Sequence, residues 1–218
     1  MKQKGIRNLI FTVAGVFLSL MIAMYLNQNI FPTISLLPRM GLLIAAQWIM
    51  LIVPAILMKS DGTTLSSIGF TKQNISAQIV VGMLIALIMS LVLTIVPILL
   101  GLKEMVGSTQ YTQPWQYAYD FAYKTLGVAL TEEVVFRGYI FKLLVGIKKS
   151  TSFAIAVSSI LFGLIHVLNG GIIQCVITAL IGAVYCVCRL KIKNCSLLSL
   201  IIAHGVYDGL ITLWVGIL

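Results

Sequence analysis

The side chains in this sequence best suited to chemistry are a few acids and histidines that lie inside apolar segments. The whole chain has only 6 Asp and Glu residues and 2 His residues. Those that fall within apolar segments are Glu132, Glu133, His166, His204 and Asp208. A charged side chain near the centre of a bilayer costs about 2.5–3.5 kcal/mol, so such residues face one another or water and are functional candidates by default. We therefore treat these five residues as a candidate site.

The stretch TEEVVFRGY (131–139) contains two adjacent glutamates and an arginine. Glu133 and Arg137 are four residues apart, which places them on one face of a helix and predicts a structural ion pair. Glu132 lies about 100° further around the helix. It has no such partner, so it is available for catalysis, although a structural bond to a Ser, a Tyr or a backbone group of a neighbouring helix is the alternative.

Both histidines have a neighbour one helical turn away. Phe162 precedes His166 by four residues, and Asp208 follows His204 by four. At 1.5 Å rise per residue, Glu132, His166 and His204 are predicted at similar depths near the middle of a bilayer. The last segment also carries Gly205 and Gly209 in a G-x-x-x-G spacing, which predicts the close approach of another helix.

The elements that must position these residues are predicted to be membrane helices. The chain is 60% hydrophobic and 10% charged, whereas a soluble domain has about 25% charged residues. A helix of about 20 apolar residues crosses a bilayer, and about seven such stretches occur. We expect a single all-α integral membrane domain, residues 1–218, folded as a multi-pass helical bundle in which the buried charged residues meet one another or a wet cavity. The predicted spans are 8–26, 38–58, 77–100, 118–146, 151–168, 172–189 and 196–217.

The net charge of +9 predicts membrane orientation rather than binding of nucleic acid. With the seven spans above, most of the 15 Lys and Arg residues lie on the side of the N-terminus. By the positive-inside rule this predicts a multi-pass protein of the cell membrane with its N-terminus in the cytoplasm. The residues on that side are Lys2, Lys4, Arg7, Lys59, Lys72, Lys142, Lys148, Lys149, Arg189, Lys191 and Lys193. The bilayer itself is the predicted partner of this charge.

Taken in order, the segments EEVVFR, FGLIH and HGVYD resemble the three signatures of the CAAX-protease and bacteriocin-processing family of intramembrane proteases, also called the Abi family. Those signatures are E-E-x-x-x-R, F-x-x-x-H and H-x-x-x-(N or D), each on a separate membrane helix. The resemblance covers residues 118–212, which would then carry the catalytic core.

The resemblance implies a multi-pass helical bundle around a polar catalytic cavity, and hydrolysis of a peptide bond in that cavity. It implies that Glu132 and His166 activate water and that His204 and Asp208 bind the oxyanion. Glu133 and Arg137 would be structural, with Phe162 packing beside them. The residues are compatible with this chemistry, since it needs a buried base and groups directed at the developing negative charge. An ionised aspartate cannot donate to an oxyanion, so Asp208 is either protonated or orients and charges His204.

The sequence leaves the metal question open. Glu132, His166 and His204 fit a zinc site of two histidines and one carboxylate, with water in the fourth position. A metal-free mechanism fits the same residues, and the H-E-x-x-H motif is absent from the sequence.

The predicted function is an intramembrane endopeptidase that acts on a peptide precursor or a membrane-associated protein, in peptide or bacteriocin processing or in self-immunity. The alternative is a non-catalytic membrane scaffold, regulator or immunity protein that acts by binding a partner. A transporter would show two related halves, and the sequence has no such internal symmetry.

Overall fold

The computed structural model describes residues 2–218, apart from the side chains of residues 168 and 169. Within that range the chain forms long helices joined by short connections, and no strand occurs there. The long helices are α1 (Lys2–Thr33), α2 (Leu36–Asp61), α3 (Ile75–Leu99), α4 (114–148), α5 (Thr151–Ile165), α6 (Val167–Lys191) and α7 (Leu197–Ile217). The all-α fold class is therefore confirmed.

The number of membrane-spanning helices agrees only approximately with the predicted seven. Each predicted span falls on one of the long helices, but five helices are both long and apolar enough to cross a membrane: α1, α2, α3, α6 and α7. Helix α5 has only 15 residues. Helix α4 contains the glutamates and Arg137, and this charge lowers its apolarity along the middle of its length. The two glutamates of the site thus lie on a long helix that is interrupted by charge.

Local sequence signals set where several of these helices begin. Pro114 occupies the first turn of α4, where its missing N–H leaves no backbone hydrogen bond unmade. Ser150 caps α5, and its hydroxyl accepts a hydrogen bond from the Phe153 amide at 3.2 Å. Ser196 and Ser199 form a capping box at the start of α7. Helices α4, α5 and α7, which carry the three motifs, therefore begin at defined residues.

Helix α7 lies between α3 and α4, and glycines allow it to approach both. A Cβ atom on Gly205 would lie 2.5 Å from Thr125 Cα, and one on Gly209 would lie 2.4 Å from Phe121 Cδ1, both on α4. On the α3 side, a Cβ on Gly82 would lie 2.6 Å from the Ser199 carbonyl oxygen. The predicted close approach at Gly205 and Gly209 is thus present, and its partner is α4, the helix of the two glutamates.

We expect the substitution Gly205→Ala to destabilise the protein by about 1–3 kcal/mol, because the new methyl group would overlap the backbone of Thr125. Gly146→Ala is the matched control, since a Cβ at Gly146 would meet no atom within 4 Å. A helical Gly→Ala change in open space should stabilise by about 0.5–1 kcal/mol. Thermal unfolding in detergent micelles would compare the two, and equal midpoints would contradict the close packing of α4 and α7.

Candidate active site

The two glutamates lie at a change in the winding of α4. Glu132 ends a short α-helical stretch, and Glu133–Ile140 is wound as a π-helix with i→i+5 hydrogen bonds. An earlier part of the same helix, Tyr123–Ala129, is also a π-helix. π-Helical segments are rare in proteins, and those that occur are often found at functional sites. The irregular winding therefore occurs in the segment that carries the two glutamates and Arg137.

His204 of α7 is the centre of the cluster, because three carboxylates surround its ring. Its Nδ1 atom lies 2.8 Å from Glu133 Oε1. Its Nε2 atom lies 3.4 Å from Asp208 Oδ2 and 3.7 Å from Glu132 Oε2. The two adjacent glutamates thus contact opposite nitrogens of one imidazole. A carboxylate only accepts hydrogen bonds, so the contact with Glu133 places a proton on Nδ1.

Arg137 balances the charge of Glu133 deep inside the bundle. Its Nη1 atom lies 3.1 Å from Glu133 Oε1, and both side chains are essentially inaccessible to solvent. The guanidinium also stacks on the Phe162 ring, with Cζ 3.8 Å from the ring centroid, which adds a cation–π interaction. Gly182 on α6 leaves room for this stack, because a Cβ there would lie 2.9 Å from Arg137 Nη2.

His166 lies at the C-terminal end of α5, beside the cluster rather than in it. Its Nδ1 atom is 2.9 Å from the Phe162 carbonyl oxygen. A carbonyl oxygen only accepts, so Nδ1 carries the proton and Nε2 of the neutral ring keeps a free lone pair. The Phe162 ring lies edge-on to both histidines, at 4.8 Å from His166 and 6.0 Å from His204. Phe162 therefore packs against both imidazoles.

Glu132 has a buried oxygen that forms no hydrogen bond. Its side chain is 8% exposed, and Oε2 has no hydrogen-bond partner among the described residues. Buried polar atoms are nearly always hydrogen-bonded, so an unpaired one requires an explanation. His166 and Asp208 both lie within electrostatic range of this carboxylate. The free oxygen can therefore bind a water molecule or a substrate N–H among these groups.

A second charged cluster borders the site near the start of α4. Lys124 Nζ lies 3.0 Å from Asp120 Oδ2 and donates to the Asp208 carbonyl oxygen at 2.8 Å and to Thr212 Oγ1 at 2.5 Å. Tyr111 donates from its hydroxyl to Asp120 Oδ1 at 3.2 Å. These contacts attach α4 to the turn of α7 that carries Asp208, and so they hold one wall of the site in place.

The geometry does not fit the zinc site considered from the sequence. Within the described part of the chain, no three His, Cys, Asp or Glu side chains converge as metal ligands. Glu133 contacts one nitrogen of His204, while Asp208 and Glu132 lie near the other. Glu132, His166 and His204 therefore do not form a ligand set in this conformation, and we assign no step to a metal.

The structure brings most of the predicted residues together and adds contacts that the sequence did not indicate. The residues that meet directly are Glu132, Glu133, His204 and Asp208, and Arg137 and Phe162 pack beneath them. His166 lies beside them, with its ring against Phe162 and within electrostatic range of Glu132. The contact between Glu133 and His204 was not predicted, because Glu133 was assigned only to Arg137. The Asp120–Lys124 pair was also missed, although its i,i+4 spacing was visible in the sequence.

Comparison with known proteins shows which family this part of the chain resembles. Residues 114–210 match the family model described as "Type II CAAX prenyl endopeptidase Rce1-like". This match confirms the resemblance to the CAAX-protease and bacteriocin-processing family, and it covers all three motifs. The searches of curated proteins and of solved structures returned no match. At the level of the family, the match supports an intramembrane endopeptidase of CAAX type, and the chain is a multi-pass membrane protein.

Proposed function

We propose that this protein hydrolyses peptide bonds in a peptide precursor or a membrane-associated protein, with Glu132 as the general base. The observation that carries the proposal is the unpaired, buried Oε2 atom of Glu132, 3.7 Å from His204 Nε2. A buried carboxylate without a hydrogen-bond partner is unfavourable for stability. It is favourable for catalysis, since a general base needs a free oxygen beside the water that it activates.

In the proposed reaction, Glu132 and His166 hold a water molecule between them. Its oxygen attacks the carbonyl carbon of the substrate while one of its protons moves to the Glu132 carboxylate. His166 accepts a hydrogen bond from the same water through Nε2, because its Nδ1 proton is already bound to the Phe162 carbonyl. The tetrahedral intermediate then collapses, the C–N bond breaks, and the proton on Glu132 transfers to the leaving nitrogen. The products are a carboxylate and an amine.

His204 acts as an imidazolium that stabilises the oxyanion. Its Nδ1–H donates to Glu133, and its Nε2–H is directed at the space between Asp208 and Glu132. Of the two roles open to Asp208, its position 3.4 Å from Nε2 supports that of orienting and charging His204. A donor fixed in this way needs no reorganisation when negative charge develops, which is where such groups gain their effect.

The charge distribution supports a cytoplasmic N-terminus in the cell membrane. At the N-terminal end of α1, Lys4 Nζ lies 2.7 Å from Asp61 Oδ1. At the C-terminal end of α4, Lys142 donates to Thr63 Oγ1 at 3.0 Å and to Ser67 Oγ at 2.8 Å. These basic residues therefore lie on one side of the bundle, as the positive-inside rule requires. A fluorescent protein that folds only in the cytoplasm, fused before residue 2, should fluoresce, and a dark fusion would reverse the orientation.

The substitution Glu132→Gln should abolish the release of specific peptides from cells that carry the protein. Peptides released by the wild type and by the variant would be compared by mass spectrometry at matched membrane levels. Glu104→Gln is the control, since Glu104 is an exposed carboxylate in the connection between α3 and α4. Termini that vanish only with Glu132→Gln would identify the substrate, in bacteriocin processing or elsewhere.

The same experiment separates the enzyme from the alternative function. A scaffold, regulator or immunity protein that acts by binding a partner needs the fold but not the base. If Glu132→Gln leaves both the released peptides and the cellular phenotype unchanged, the proposed hydrolysis is wrong and the binding function replaces it.

A further inference from the structure

Tyr185 on α6 places a second buried and unpaired polar group beside the site. Its side chain is completely inaccessible to solvent. Its hydroxyl forms no hydrogen bond with any residue that the structure describes. Buried tyrosine hydroxyls usually have a partner, because the loss of hydration must be compensated. Tyr185 is not part of any of the three sequence motifs. Its position near the site is seen only in the packing of α6.

The position of the ring shows where this hydroxyl can act. The Tyr185 ring lies 5.8 Å from the His204 ring at an interplanar angle of 36°, and 5.5 Å from Arg137 Cζ. Its hydroxyl is within electrostatic range of the carboxylates of Asp208 and Glu133. Tyr185 therefore packs against the same imidazole that is proposed to face the oxyanion.

Asp208 does not supply a hydrogen-bond donor to the oxyanion, and a hydroxyl group can. The third motif accepts asparagine or aspartate, and an asparagine would offer an N–H to the oxyanion. An ionised Asp208 offers none, because a carboxylate is only an acceptor. A neutral phenol donates one hydrogen bond without changing its charge.

We propose that Tyr185 is a catalytic residue whose hydroxyl donates a hydrogen bond to the substrate oxyanion beside His204, supplying the donor that Asp208 lacks. This inference rests on the proposed function. Without substrate the hydroxyl is unpaired, and with the tetrahedral intermediate in place it has an acceptor. The interaction thus forms mainly in the transition state, which is the kind that raises the catalytic rate rather than the affinity for substrate.

The substitution Tyr185→Phe tests the inference because it removes only the hydroxyl. The purified full chain in detergent micelles would be incubated with a proteome-derived library of tryptic peptides, and initial rates of cleavage would be measured over a range of library concentrations. Loss of one oxyanion donor typically lowers kcat by about 100-fold or more. For Tyr185→Phe we expect the maximal rate to fall by about 100-fold or more, and the half-saturating concentration of the library to stay unchanged.

The midpoint of thermal unfolding is the second readout. If the Tyr185 hydroxyl stabilised the fold, its removal would lower this midpoint. Removing an unpaired buried hydroxyl should leave the midpoint unchanged or raise it. Tyr139→Phe is the matched control. Tyr139 is equally buried, but its hydroxyl donates to Asp61 Oδ2 at 3.4 Å, away from His204. Its loss should lower the midpoint slightly and leave the rate intact.

The possible results separate this inference from the proposed function. A rate for Tyr185→Phe within twofold of that for Tyr139→Phe, or a clear fall in its thermal midpoint, would overturn the role of Tyr185. Glu132→Gln is measured in parallel. If it retains the wild-type rate, the proposed function fails, whatever Tyr185→Phe shows. If it loses cleavage while Tyr185→Phe does not, the protease stands and only the role of Tyr185 is wrong.

Discussion

The substitution His204→Gln should lower the rate of peptide hydrolysis by about 100- to 1000-fold, the range found when an oxyanion donor is removed. Glutamine can still donate a hydrogen bond, but it carries no positive charge and cannot contact Glu133 and Asp208 from two rigid ring nitrogens. The three carboxylates around His204 would also lose their shared partner. The rate is measured with purified protein at saturating substrate.

A double substitution distinguishes lost chemistry from lost stability in that experiment. His204→Gln combined with Glu133→Gln removes one of the crowded carboxylates and should recover part of the thermal stability. It should not recover activity, because the proposed donor is still missing. Recovery of the wild-type rate in the double variant would contradict the assignment of His204 to the oxyanion.

The substitution Arg137→Met should destabilise the protein by about 3–5 kcal/mol, the cost of leaving one partner of a buried ion pair uncompensated. Glu133 is completely buried, and its ion-pair contacts among the described residues are Arg137 and His204. Methionine replaces the unbranched stem of the side chain but loses the charge and the cation–π contact with Phe162. Unfolding in mixed micelles with increasing denaturing detergent measures the change.

Two comparisons support the interpretation of the Arg137 result. Arg7→Met removes an exposed arginine near the N-terminus and should change stability by less than about 0.5 kcal/mol. Arg137→Lys should restore only part of the loss, because an ammonium does not stack on Phe162 as a planar guanidinium does. If Arg137→Met and Arg7→Met unfold at the same detergent concentration, the ion pair with Glu133 does not stabilise the fold.

Much of this site could be predicted because the cost of burying charge leaves a clear pattern in an apolar sequence. The i,i+4 spacings of Glu133 with Arg137 and of His204 with Asp208 correspond to contacts of 3.1 and 3.4 Å in the structure. The close approach predicted from Gly205 and Gly209 is also present. Spacing along a single helix determines the two i,i+4 contacts and places both glycines on one face, and so the sequence is sufficient to find them.

The sequence could not supply which residues of neighbouring helices contact one another. The pairing of Glu133 with His204 depends on the rotation of α4 relative to α7, and the π-helical winding of Glu133–Ile140 alters that rotation. The position of Tyr185 beside His204 depends in the same way on how α6 packs. The seven predicted spans were only approximately right, because α5 is short and the charges of α4 lower its apolarity.

The central claim, hydrolysis by water that Glu132 activates, is tested most directly with the purified chain in water enriched in ¹⁸O. Mass spectrometry would follow the new C-termini formed from a peptide library by the wild type and by Glu132→Gln. The account predicts one ¹⁸O atom in each new carboxylate with the wild type, and no such product with Glu132→Gln. Labelled products formed at equal rates by both proteins would show that Glu132 is not the base.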